Sequence, residues 1–519
     1  MPRFARCAVR SLASLLVVLL LGWGGLPAQA WGQQAASDPI QASLERVRDR
    51  VIEYELANGM RFLILPDWEA PVVSFVTYAD VGAANEPEGK TGVAHLLEHL
   101  AFKGTERIGT RNYPKEKPLL KRLDRLFDRI QAAQEAGNSQ KAKRLQQQFQ
   151  RVQAQAAEYV VPNEFSQIVQ RAGGVGLNAA TSADYTMYFY NLPANKLELW
   201  MSLESERFLE PVFRQFYKEK QVVLEERRQR VENSPIGKAM VEFLETAYTD
   251  HPYGQPVIGY ERDLRQLRRQ DVREFFQTYY TPGQLIGAVV GDVDPAEVKQ
   301  LARTYFGRYP SQADLPPTGN LEPEQQQPRE VTLRLPSRPW YLEAYHRPAI
   351  DNPDHAVYEI VTRLLSGGRT SRLYQSLVQE QQLALNVEGI SSFPGEKFPS
   401  LILFYGLTAP NSSVDALGQQ MRAQIECLKT EPVTAAELER VKTQARAELV
   451  RSLDSNRGMA RLLAEFEGKT GDWRNLFDEI EAIAQVTAQD LRRVAQETFQ
   501  PQNRIVGRIL PESADSSNE

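Results

Sequence analysis

Cysteine and histidine are scarce in this chain, with two Cys and five His among 519 residues. Two cysteines cannot build a disulfide scaffold or a Cys₄ zinc site, so any metal chemistry must come from histidine and carboxylate side chains. Excess positive charge is also absent. With 61 Lys+Arg against 66 Asp+Glu the formal net charge is −5, which removes a basic nucleic-acid binder as the default reading. At 42% hydrophobic and 24% charged residues the composition is globular, excluding a disordered tail and a multi-span membrane protein. The length exceeds one ordinary hydrophobic core and calls for at least two domains.

The first thirty residues read as a leader. Arg3, Arg6 and Arg10 precede the apolar run Leu12–Leu21, and Ala28-Gln29-Ala30 supplies an A-x-A cleavage pattern. The run is short for a spanning helix, which needs about 20 residues, and no Cys follows it to carry a lipid. Cleavage after Ala30 removes three Arg and no acid, so the net charge of −5 becomes −8 over the remaining 489 residues. It also removes Cys7 and leaves Cys427 alone. The expected location is secreted or periplasmic, with no stable membrane anchor after cleavage and no internal disulfide.

Beyond the leader the chain divides into two similar halves. Val51–Leu56 and Met60–Leu65 flank Asn58-Gly59, a hairpin signal. Val72–Val81 and Ile286–Asp292 read as strands, and Gly92–Phe102 and Leu197 through Arg230 as helical. Residues 310–330 are rich in Pro, Gln and Glu without apolar periodicity and read as a linker. Strand Trp340–His346, helices Pro353–Leu365 and Ser371–Gln382, strand Ser400–Leu407 and helices Ala435–Ser452 and Thr487–Phe499 follow. The expected division is a domain at 45–309, the linker, a second domain at 331–510 and a polar, frayed tail at 511–519. Mixed strands and helices without strict alternation favour an α+β fold in both halves, each a mainly antiparallel sheet packed with helices.

Within the first half, Leu119, Leu123, Leu126 and Ile130 recur at helical spacing, as do Leu145, Phe149, Val152, Ala156 and Tyr159. Gly137-Asn138 separates the two runs. Residues of about 116–160 therefore form an antiparallel helical hairpin, either a self-contained decoration or a docking arm for a partner or membrane-side component.

The chemistry lies in His95-Leu96-Leu97-Glu98-His99. His95 and His99 are i,i+4, so both imidazoles leave one helix face and can converge on one ion. Glu98 is close enough to serve as a base. Two His leave zinc needing a third protein ligand, usually a carboxylate. Two core histidines around an unpaired acid in an apolar helix would be costly. His251 reads as a loop residue, and His346 and His355 have no ligand-spaced neighbour.

This motif and its surroundings resemble the pitrilysin/insulinase family of zinc peptidases, whose inverted motif is His-x-x-Glu-His. The resemblance covers most of the mature chain: GVAHLLEHLAFKGT around the motif, LNAATSADYTMYFYNLP as the edge-strand segment, EKQVVLEERR as the second metal helix, then HPYGQPVIG and SGGRTSRLYQ. It implies two tandem homologous domains forming a half-clamp, as in processing peptidases. It implies Zn²⁺ held by His95, His99 and Glu226, with Glu219 supporting from behind, Glu98 catalytic, and Asn178 and Ala179 contacting the substrate backbone. On spacing alone Glu225-Glu226-Arg227-Arg228 would read as a solvated charged face; the family motif favours Glu226 over Glu225.

Two departures stand out. The gap of 127 positions from His99 to Glu226 is longer than the family's usual one, and the helical hairpin accounts for the excess. The family's C-terminal half also offers an Arg that grips a substrate carbonyl and a Tyr that steadies the oxyanion. Ungapped alignment puts Val378 and Leu385 there, and neither can donate a hydrogen bond. The expectation is a zinc endopeptidase acting on peptides or unfolded segments outside the cytosol, paired with a related chain that supplies the Arg/Tyr clamp. A non-catalytic peptide-binding or assembly subunit of the same fold is the alternative.

Overall fold

The computed structural model describes residues 39–512 apart from 312–315, 317 and 320. The leader with its site after Ala30, and the tail from residue 513, lie outside the described residues. Among those described, no helix is long and apolar enough to cross a membrane.

Among the described residues, eleven strands form two sheets. The first contains β1 (Ile52–Glu55), β2 (Arg61–Pro66), β3 (Val72–Ala79), β4 (Val175–Thr181), β5 (Thr186–Pro193) and β6 (Leu285–Gly291), in the order β1-β2-β6-β3-β5-β4. The second contains β7 (Arg329–Leu335), β8 (Trp340–Arg347), β9 (Ala384–Phe393), β10 (Ser400–Thr408) and β11 (Arg504–Pro511), in the order β7-β11-β8-β10-β9. The plans coincide. Setting aside β1, which adds an antiparallel edge to β2, the first strand of each half pairs in parallel with the last, β2 with β6 and β7 with β11. Every other neighbour is antiparallel. These are the two homologous α+β units expected from the sequence, and β4 and β9 occupy equivalent free edges.

Both faces of the first sheet are covered, which is why β3 after Val72 and all of β6 are buried at every position rather than alternately. On one face Phe62, Val73, Phe75 and Tyr188 share a core with Leu96, Leu97 and Leu100 of α1 (Val93–Ala101), and Phe75 stacks on Trp200. On the other face, Leu63, Val76, Tyr78 and Ile286 meet Met459, Leu462 and Leu463 of α6 (Asn456–Thr470), which belongs to the second half of the chain. The loan is returned: Phe243, Leu244 and Ala247 of α5 (Pro235–Ala247) pack on Leu342, Leu403 and Ile505 of the second sheet. Each half thus completes the other's core.

The hairpin is present as α2 (Tyr113–Glu135) and α3 (Ser139–Ala157), reversing at Gly137 with φ 68°, a conformation that favours glycine. It packs against α4 (Phe216–Arg227). Other expectations need correction. The stretch from Leu197 through Arg230 is two helices, Leu197–Leu209 and Phe216–Arg227; Pro211 cannot continue the ladder, and Phe213 and Gln215 take positive φ. Strand β7 begins at Arg329, inside the last residues read as linker. It alternates half-buried and exposed positions and so carries little apolar signal. The helix expected at Ser371–Gln382 does form, mostly as a π-helix over Tyr374–Glu380.

Candidate metal centre and cleft

Helix α1 starts at Gly92, whose φ of 82° suits a residue without a side chain. Gly92 also faces Gly259 so closely that a Cβ on Gly259 would meet Gly92's backbone nitrogen at 2.5 Å. The buried Glu86 carboxylate accepts the N–H groups of Gly92 and Ala94, each at 2.8 Å, satisfying donors that a helix start leaves free. The apolar side of α1 sinks into the core, and the other side presents His95 and His99, whose ring centroids are 4.9 Å apart.

Helix α4 runs past this face with Glu219 and Glu226 two turns apart on one side. Glu226 lies 3.8 Å from His95 Nε2 and 3.4 Å from His99 Nε2. Donor atoms of His95, His99 and Glu226 all fall within 4.8 Å of one another. Ligand atoms bound tetrahedrally at about 2.0 Å stand roughly 3.3 Å apart, so modest side-chain movement closes the trio on an ion. Behind it, Glu219 Oε2 is 3.7 Å from His99 Nδ1, and its other oxygen pairs with Lys103 Nζ at 2.8 Å.

The electrostatics suit cation binding. Burial, followed by the charges of His99 and Arg230, pulls the His95 pKa down to about 3, leaving the neutral imidazole that a metal requires. Burial also draws His99 down, but Glu219, Glu226 and Glu98 outweigh it and raise its pKa. Two histidines and a carboxylate form a donor set that fits zinc.

Glu98 enters the same cavity, and its Oε2 accepts a 2.6 Å hydrogen bond from the Thr181 hydroxyl at the end of β4. Burial raises the Glu98 pKa while Thr181 opposes the rise. The cavity, about 690 Å³, is walled by the metal-binding trio, Glu98, Arg230, Val257, Ile258 and residues 178–181 of β4. Asn178 and Ala179 therefore flank the cleft on the sheet's free edge, where the Ala179 N–H is met by Asn178 Oδ1 at 2.9 Å.

All seven residues singled out from the sequence line or adjoin this cavity. Three that matter here were missed: Thr181, Lys103 and Arg230, whose guanidinium lies 3.0 Å from Glu226. Thr181 and Lys103 sit inside the quoted segments LNAATSADYT and HLAFKGT, but nothing in spacing pairs them with Glu98 and Glu219. The remaining histidines lie elsewhere: His251 Nδ1 accepts the Tyr253 N–H, His346 contacts the Ala247 carbonyl, and His355 contacts Arg347. Val378 packs at the edge of the second core, and Leu385 is exposed near the start of β9.

The chain is similar to known proteins over most of its length. The family pattern described as insulinase (peptidase family M16) matches residues 62–123 and 156–261, and that described as peptidase M16 inactive domain matches 266–445. The break between 123 and 156 falls inside the α2–α3 hairpin. Zinc protease PqqE of Helicobacter pylori is 30% identical over 451 residues, 86% of this chain and 89% of that protein. A crystal structure of a protease from Helicobacter pylori superposes with a TM-score of 0.75 at 28% identity, covering 89% of this chain and 99% of that one. The periplasmic protease PqqL of Escherichia coli shares the fold at a TM-score of 0.65 and 18% identity, over 89% of this chain but 48% of its own.

Proposed function

Because the chain belongs to the insulinase (M16) family of peptidases, we propose that it is a zinc-dependent endopeptidase acting outside the cytosol as one half of a two-chain clamp. The observation that carries this is the convergence of His95, His99 and Glu226 within 4.8 Å, with Glu98 in the same cavity. His95 Nε2, His99 Nε2 and a Glu226 oxygen would hold the zinc. Bound zinc supplies Lewis acidity, which activates water and polarises a carbonyl.

The chain's own residues do the rest. The Thr181 hydroxyl holds one Glu98 oxygen; the other takes the proton of the attacking water and passes it to the departing amine, a contribution of about 10²–10⁴ in rate. An extended peptide adds to the free edge of β4, displacing the Asn178 oxygen that meets the Ala179 N–H. Lys103 and Glu219 hold His99 in its orientation.

Val378 and Leu385 stand where the family's clamp would offer an Arg and a Tyr. A missing oxyanion donor typically costs about 10²–10³ in rate, which supports a related second chain as the source of both groups. The same two residues favour the competing reading, a non-catalytic peptide-binding subunit. Metal analysis and cleavage of an unstructured quenched peptide, with and without co-expressed related chains, separate the readings. Stoichiometric zinc and cleavage lost in Glu98→Gln support the peptidase. Full activity of the chain alone overturns the two-chain clamp but keeps the peptidase. Cleavage unchanged in Glu98→Gln overturns the catalytic reading.

A further inference from the structure

The hairpin is charged unlike the rest of the chain. Residues 113–157 carry ten Lys and Arg and four Asp and Glu, in a protein whose net charge is −5. Two of the four acids are turned inward. Glu116 is buried against Arg214, and Asp124 binds Arg269 and Tyr217 of the body. A third, Asp128, pairs with Arg268. What is left facing solvent is almost wholly basic.

Helical phase shows which way this charge points. Asp124, Phe127 and Gln131 of α2, and Gln146 and Gln153 of α3, mark the sides that meet α4 and its neighbours. At about 100° per residue, Arg122, Arg125 and Arg129 of α2 and Lys141, Arg144 and Arg151 of α3 turn more than a quarter circle away from them. All six are exposed, and among the described residues none has a carboxylate within ion-pair distance. They cover a face roughly 15 Å long on two helices that pack about 10 Å apart.

We propose that this face binds an anionic phospholipid surface. A specific protein interface would need a large apolar anchor at its centre, and the face has none: no large hydrophobic residue of the hairpin is exposed, and its uncharged exposed positions include Pro118, Ala132, Gln147 and Gln148. Binding single-stranded nucleic acid would call for aromatic stacking platforms, also missing here. A flat sheet of anionic headgroups requires only spread positive charge. The Debye length of about 10 Å at 0.1 M salt lets the six cations act without interference from the acidic body. Because the hairpin lies against the side of α4 opposite Glu219 and Glu226, a bound surface leaves the cleft open.

Co-sedimentation of the full chain with vesicles of phosphatidylcholine alone, or with 30% phosphatidylglycerol added, tests this. The expected result is pelleting with the anionic vesicles only, abolished at about 0.5 M salt, where screening is strong. The quadruple variant Arg122→Gln, Arg125→Gln, Arg129→Gln, Arg144→Gln keeps helix propensity, and an unchanged melting curve verifies its fold. At about fivefold per cation removed, its binding should fall by at least a hundredfold, with peptide cleavage unchanged. Equal pelleting of the variant, or pelleting with neutral vesicles, overturns the proposal and points to the apolar leader. Tighter salt-sensitive binding to a DNA duplex than to the vesicles overturns it too.

Discussion

Arg214→Met should be among the most damaging single substitutions outside the cleft. The guanidinium is 1% exposed, and Glu116, its partner, is fully buried. It donates to Glu116 Oε1 at 3.1 Å and to the carbonyls of Lys103, Thr105 and Ile108 at 2.6, 2.7 and 2.8 Å. One side chain thus ties the base of the hairpin to the loop that leaves α1 and to the turn before α4. Removing it strands a buried carboxylate, a loss of about 3–5 kcal/mol, with a further contribution of about 1 kcal/mol from unmet carbonyls. Replacing both partners, Glu116→Leu with Arg214→Met, leaves no buried charge and should restore most of the first part. Urea unfolding followed by tryptophan fluorescence reads both, through the midpoint of the transition that reports the first sheet. A coupling energy of at least 2 kcal/mol across the four-variant cycle is expected. An Arg214→Met midpoint within 1 kcal/mol of the parent, or zero coupling, would refute the reasoning.

Glu219→Gln should weaken zinc binding about 10–100-fold, the usual cost of removing a supporting residue, and Glu226→Gln should weaken it more; equilibrium dialysis measures both. Thr181→Val removes the donor that opposes the rise in the Glu98 pKa, so the acid limb of the pH–rate profile should move to higher pH with KM little changed. Glu479 is pushed up to about 8 by burial and then by the neighbouring Glu359, against the pull of Arg347. Its contribution to stability is full below the ordinary carboxylate range and lost as pH rises through about 8. The melting temperature should therefore fall between pH 6 and pH 9, and Glu479→Gln should flatten that slope.

Much of the fold was legible where one helix or strand face is periodic. The hairpin announced itself through leucines at helical spacing because its two helices bury mainly against each other and α4. The strands from Val72 and Ile286 were readable because both their faces are covered. Strand β9 and helix α6 escaped notice for opposite reasons. The first is a half-exposed edge, and the second finds its apolar partners on a sheet formed some 170 to 400 residues earlier in the chain.

The candidate centre divides along the same line. His95, Glu98 and His99 could be read from the sequence because one helical turn sets their relation, and i,i+4 geometry is local. Glu219 and Glu226 share a helix, but their approach to that turn depends on how α4 packs against α1. Resemblance supplied it, and the distances came from the packing. Thr181 beside Glu98, Lys103 beside Glu219, and Arg214 beneath the hairpin were decided by tertiary structure alone. Each pairs groups from separate elements, and no local spacing encodes a contact that exists only once two faces have closed on each other.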